Sequence, residues 1–218
     1  MVEIRRQLRE ASRLRTLLGF AALGLLAGIA AKVADESGLA WAADLGSDPP
    51  AWVLLVALIG RFAPTLPAAA ARAATFFAAM TLAYYGWAVW VLGFGYEPDL
   101  MVAWLVLSAT AVAAVAAVSR WAMARPGVLA GALVGLVAGA ALVGGALRRT
   151  YLWWDGSYAE MALRPVQAVV ELVAVLIITL VLPLHRSTRL WALALTVPMW
   201  WLADLLIGVL LYGTGVIR

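Results

Sequence analysis

Residues 127–147 read GVLAGALVGLVAGAALVGGAL, twenty-one positions without one charged side chain. A helix needs about 20 mostly apolar residues to cross the hydrocarbon core of a bilayer. Within the stretch, Gly127, Gly131, Gly135 and Gly139 recur every fourth residue and lay a smooth strip along one helix face. Small residues at that spacing let a neighbouring helix come close enough for van der Waals contact to hold the pair in lipid. Gly24 and Gly28 repeat the device earlier in the chain. The stretch therefore reads as a spanning helix that packs against another helix of the same chain.

Working outward, comparable apolar runs lie near Leu17–Val33, Ala51–Leu66, Ala73–Gly95, Leu100–Met123, Val166–Leu184 and Leu190–Gly213. The expected fold is all-α: a polytopic bundle of about seven transmembrane helices over residues 17–218, preceded by a basic segment over residues 1–16. Composition agrees. Apolar residues make up 65% of the 218 and charged residues 13%, against roughly half and a quarter in water-soluble domains. The surplus must face lipid, so the bilayer is the first partner. The chain has no Cys and a single His, His185. That excludes disulfide scaffolds, thiol nucleophiles, thiolate and iron–sulfur centres and any multi-histidine metal or haem site; no cofactor or metal is expected. The net charge of +4 reads as a basic cytoplasmic side, not as a nucleic-acid surface.

Charge placement fixes the expected orientation. With the N-terminus in the cytoplasm of a bacterial inner membrane, eleven of the sixteen cations lie inside, from Arg5 to Arg189. Outside lie Lys32, Arg148, Arg149, Arg164 and Arg218, together with Asp35, Glu36, Asp44, Asp48, Glu97, Asp99, Asp155 and Glu160. Residues 51–66 are the weakest span, short, carrying Arg61 and bracketed by Pro49, Pro50, Pro64 and Pro67. A re-entrant segment is the competing reading, but removing this span would throw Arg120, Arg125, Arg186 and Arg189 to the outside. In residues 2–16, Ile4, Leu8, Ala11 and Leu14 recur at helical spacing among arginines, the pattern of a basic amphipathic helix on an anionic leaflet.

An internal repeat is also visible. Arg72 is followed by Tyr84-Tyr85 and Gly95, and Arg189 by Trp200-Trp201 and Gly213, so the third and seventh spans read as copies. A three-plus-one-plus-three plan of parallel repeats follows. Pro198 inside the last span predicts a kink or a freed carbonyl.

Ionisable residues inside a span are costly and face a cavity or a partner. Glu171 and Asp204 fall in the outer half of their spans, and Lys32, the only lysine, ends the first. Lys32 is spaced to pair with Asp35 (i, i+3) or Glu36 (i, i+4), and a pair with Glu171 or Asp204 is the alternative. Nine of the eleven tryptophans also fall on the outer side. The expectation is an outward-facing cavity walled by Tyr84, Tyr85, Trp87, Trp200 and Trp201, with Lys32, Asp35, Glu36, Glu171 and Asp204 as ligand-binding or gating charges. Such a cavity suits a cationic or amphiphilic organic molecule. No zinc, diphosphate-aspartate, nucleophile-elbow or phosphate-loop motif occurs, so no catalytic residue is assigned.

The run Lys32-Val-Ala-Asp35-Glu36-Ser37, the pair Ala51-Trp52 and Tyr84-Tyr85 resemble a family of small bacterial multi-pass proteins known as a domain of unknown function. That resemblance implies a membrane bundle and no particular activity. In layout the chain is similar to seven-span vitamin-precursor carriers, although their substrate-binding motif has no counterpart here, and to the six-span capturing subunits of energy-coupling transporters. The expectation is small-solute binding or transport. The alternatives are a structural or accessory subunit, with a membrane protein partner or as a homo-oligomer, and an intramembrane lipid enzyme using Asp204 or Glu171.

Overall fold

A computed structural model describes residues 2–156 and 163–213; Ser157, Glu160 and Arg218 lie outside the described residues. The described elements are all helical: α1 (Val2–Asp35), α2 (Ala40–Ser47), α3 (Pro49–Phe62), α4 (Leu66–Trp90), α5 (Pro98–Leu107), α6 (Ala113–Met123), α7 (Val128–Ala141), α8 (Ala146–Trp154), α9 (Pro165–Leu176) and α10 (Arg186–Gly213). Five-residue π-helical turns join α5 to α6 at Ser108–Val112 and extend α9 at Ile177–Val181.

Local chemistry sets the boundaries. Proline stands in the first turn of α3, α4, α5 and α9, where its fixed φ fits and no amide donor is needed. At α4 the Thr65 side chain also accepts from Ala68 N at 3.2 Å. Two glycines with positive φ, Gly127 at 110° and Gly145 at 71°, turn the chain into α7 and α8, a conformation that side chains with a Cβ rarely adopt.

Two flanking pairs enclose the centre. The most extensive contacts are those of α1 with α4 and of α7 with α10, while α3 and α6 fill the space between them. Both pairs run parallel and both are built on glycine. A Cβ on Gly24 or Gly28 would run into the Phe76 or Met80 carbonyl of α4, and one on Gly139 would lie 2.7 Å from the Trp200 backbone. Each pair thus joins two helices of the same direction through glycines of the earlier one. The interior is small-residue packing, with Ala57, Met123, Val134 and Ile178 in one cluster and Val56, Ile59, Phe76 and Phe77 in the other.

The two ends differ in chemistry. At one, Arg61 Nε donates to Leu182 O at 2.8 Å, Leu184 N to Met123 O at 2.9 Å and Thr188 Oγ1 to Arg125 O at 2.5 Å. At the other lie Asp35, Glu36, Asp44, Asp48 and Glu171.

Each of the seven expected segments is largely helical, the 127–147 run being interrupted at residues 142–145, but four helices are long and apolar enough to cross a membrane, or up to six if each bent pair, α2 with α3 and α7 with α8, forms one span. Pro165–Val181 belongs to the shorter apolar helices. Large apolar side chains such as Leu129, Leu190 and Val197 point outward, and a continuous apolar exterior is suited to lipid, not water. The basic N-terminal segment is continuous with the first span: α1 runs unbroken for 34 residues, about 51 Å. Likewise α10 continues through Pro198 without a break in the helix.

Candidate functional site

Polar chemistry at the acidic end falls into separate centres. The first is Lys32, 6% exposed on the last turn of α1. Its Nζ lies 2.6 Å from Glu36 Oε1 and 3.6 Å from Asp35 Oδ2. Both spacings expected on one helix are thus formed at once. Tyr84, from α4, donates its hydroxyl to Asp35 Oδ2 at 2.6 Å. The ammonium also faces the rings of Tyr84 and Phe94, at 5.0 and 4.7 Å from their centroids, within cation–π range. Tyr85 meets Tyr84 edge to face at 5.4 Å. Lys32, Asp35, Glu36, Tyr84 and Tyr85 are therefore brought together, and the lysine's charge is paired with its own neighbours.

Glu171 lies elsewhere, 0% exposed on α9. Its Oε1 accepts from Ala146 N at 2.9 Å and its Oε2 from Leu147 N at 2.8 Å. The first amides of a helix have no intrahelical acceptor, and here a carboxylate from another helix supplies one at the positive end of the α8 dipole. Gly144 makes room for it, because a Cβ there would sit 3.0 Å from Oε1.

Beside Glu171 is a cluster that sequence reasoning missed. Arg164 Nη1 donates to Asp44 Oδ1 at 2.8 Å and stands 3.7 Å from Asp48 Oδ2. Gln167, 1% exposed, donates to Asp44 O at 3.1 Å, and Arg149 Nη2 donates to Gly144 O at 2.6 Å. Two acceptors, Asp48 Oδ2 and Gln167 Oε1, are buried with no hydrogen-bond donor among the described residues. The only sequence signal for this cluster was Gln167, a polar side chain one turn before Glu171 in an otherwise apolar run.

The aromatic residues divide as well. Trp200 and Trp201 lie with ring centroids 5.4 Å apart and planes tilted by 44° on α10, which packs on α7 and the end of α9, away from the α1–α4 pair. Asp204 is exposed on the same helix. The structure does not join it to Glu171, which is enclosed at the α8 start. Seven of the eleven tryptophans are exposed on the outside of the bundle, so they do not line a common hollow. One cavity does collect aromatics: a groove of about 810 Å³ between α1, α4 and α5, lined by Leu25, Ile29, Tyr85, Trp87, Trp90, Tyr96 and Met101 among others. Its walls are apolar. Glu97 lies close enough to Tyr85 to act on it electrostatically.

No group of His, Cys, Asp or Glu among the described residues could hold a metal ion. Comparison of the chain with protein families, with curated proteins and with solved structures yields no significant match in any of the three.

Proposed function

We propose that the chain is a small-solute binding protein of the bacterial cytoplasmic membrane, with its N-terminus in the cytoplasm, that takes an amphiphilic organic cation into the groove between α1, α4 and α5. The observation carrying this reading is the groove itself. Its volume of about 810 Å³ falls in the range of small-molecule sites, which are mostly apolar with few polar groups. Trp87, Trp90, Tyr85 and Tyr96 offer ring faces to an apolar tail or a cationic head, and Glu97, at the start of α5, supplies the negative charge beside them. The Lys32 centre and Glu171 then act as framework: each is satisfied inside the chain.

Titration calorimetry on the protein in lipid nanodiscs tests this, using octyltrimethylammonium, octyl sulfate and octanol as probes. Saturable binding of the cation, stronger than that of the other two, is expected. Gly86 lines the groove, and a Cβ on it would first meet the Trp90 ring, the far end of a movable side chain, at 3.0 Å. Gly86→Leu therefore fills the site while leaving the bundle intact, and should weaken the cation by at least about tenfold. Glu97→Gln should remove its advantage over octanol. Absence of saturable binding by all three probes, or an unchanged affinity in Gly86→Leu, overturns the proposal.

A further inference from the structure

A second feature, independent of the groove, lies on α10. This helix is 28 residues long, about 42 Å at 1.5 Å per residue, against about 30 Å of hydrocarbon. Asp204 stands nine residues before Gly213, about 14 Å from that end, which leaves it below the headgroups when the helix is centred. It is exposed, between exposed Trp201 and Leu205. No hydrogen bond or ion pair joins it to another described residue. A carboxylate at that depth facing hydrocarbon is costly and ordinarily has a partner.

Its surroundings indicate what kind. Gly208, one turn on, has nothing within 4 Å of where a Cβ would be, so the helix is notched beside the acid. Trp201, one turn back, offers a ring face to a cation, and an indole beside a carboxylate suits a cationic side chain better than a neutral one. A second copy of this chain does not supply that cation. Its own lysine, Lys32, is buried and held by Asp35 and Glu36, and a two-fold contact centred on this face would set Asp204 against its own counterpart.

We propose that this face of α10 docks a transmembrane helix of a different protein that carries one lysine or arginine at the depth of Asp204. The acid provides the charge, Gly208 the room and Trp201 the flank.

The test uses the full-length protein in phosphatidylcholine vesicles with a leucine-rich peptide of about 20 residues bearing a single central lysine. Matched peptides carry leucine or glutamate at that position. Energy transfer between labelled partners reads association. The lysine peptide should associate at least about tenfold more strongly than the leucine peptide. Asp204→Asn and Asp204→Leu should erase that preference, and Asp204→Lys should transfer it to the glutamate peptide. Because Asp204 is exposed, all three variants should fold, which their gel-filtration profiles check. Equal association of all peptides with the wild type overturns the proposal, as does a lysine preference that survives in Asp204→Asn. Self-association of the wild type that is lost in Asp204→Asn would assign the face to a second copy, and would also overturn it.

Discussion

The Tyr84 hydroxyl donates to Asp35 Oδ2 at 2.6 Å, and so ties the last turn of α1 to the C-terminal half of α4 across 49 residues of chain. The same carboxylate stands 3.6 Å from Lys32, so one acid serves both a phenol and an ammonium. Tyr84→Phe keeps the ring under the lysine and deletes only the hydrogen bond. The expected loss is about 1 kcal/mol, read as a lowered unfolding midpoint in mixed micelles. Lys32→Met should cost more, because it leaves two carboxylates side by side. Reversal of that order would show that the phenol, not the ammonium, holds the two helices.

Glu171 should be among the least tolerant polar positions. In Glu171→Gln one carboxylate oxygen becomes an amide donor facing a backbone N–H, a loss of about 2 kcal/mol. In Glu171→Ala both amides of α8 are left unsatisfied, and a larger loss is expected. Hydrogen exchange at Ala146 and Leu147 should rise in both variants before global unfolding does. Unchanged protection there would mean that α8 does not depend on this cap.

Glycine positions separate close packing from mere flexibility. Gly139→Ala sets a Cβ against the backbone of Trp200 and Met199, which cannot swing aside as a side-chain end would. A destabilisation of about 1–3 kcal/mol is expected. Gly19→Ala, with nothing within 4 Å, should be neutral. The pair can be compared by SDS-induced unfolding, and equal effects would show that α7 and α10 are not in close contact.

The buried cluster beside Glu171 gives opposite predictions for two neighbouring acids. Asp44→Asn breaks the 2.8 Å ion pair with Arg164; Arg164 is partly exposed, so the loss should be only about 1 kcal/mol. Asp48→Asn replaces a buried oxygen that lacks a donor with an amide able to donate to Gln167 Oε1, and stability should hold or rise. A marked loss in Asp48→Asn would mean that the Asp48 charge is needed to balance Arg164.

Much of the helical layout can be read from periodicity alone, because apolar runs of about 20 residues have few alternative fates and Gly24, Gly28 and Gly139 mark the contacts that form. The local pairs of Lys32 follow from helical spacing. What pattern cannot convey is which helix faces which. Glu171 and Asp204 look equivalent as lone acids in apolar runs, yet one is swallowed by the bend between α7 and α8 while the other stands outside. That bend depends on Gly144 and Gly145 ending the 127–147 run early, where composition suggests an uninterrupted span. Charge counting places Arg164, Asp44 and Asp48 on one side but cannot pair them, because each lies in a loop-like stretch and they converge only once α2, α8 and α9 have met. The tryptophans mislead about a common hollow, since counting residues by depth says nothing of direction around the helix axis.

The attachment of α10 chiefly along the glycine face of α7 has a consequence for biogenesis. The ties between Asp44 and Arg164 and between Glu171 and α8 involve only residues that leave the ribosome before Arg186. Those polar ties can therefore form while the final helix is still being translated, and α10 completes the apolar interior with Ala192. Its free flank then remains open to whatever chain is inserted alongside.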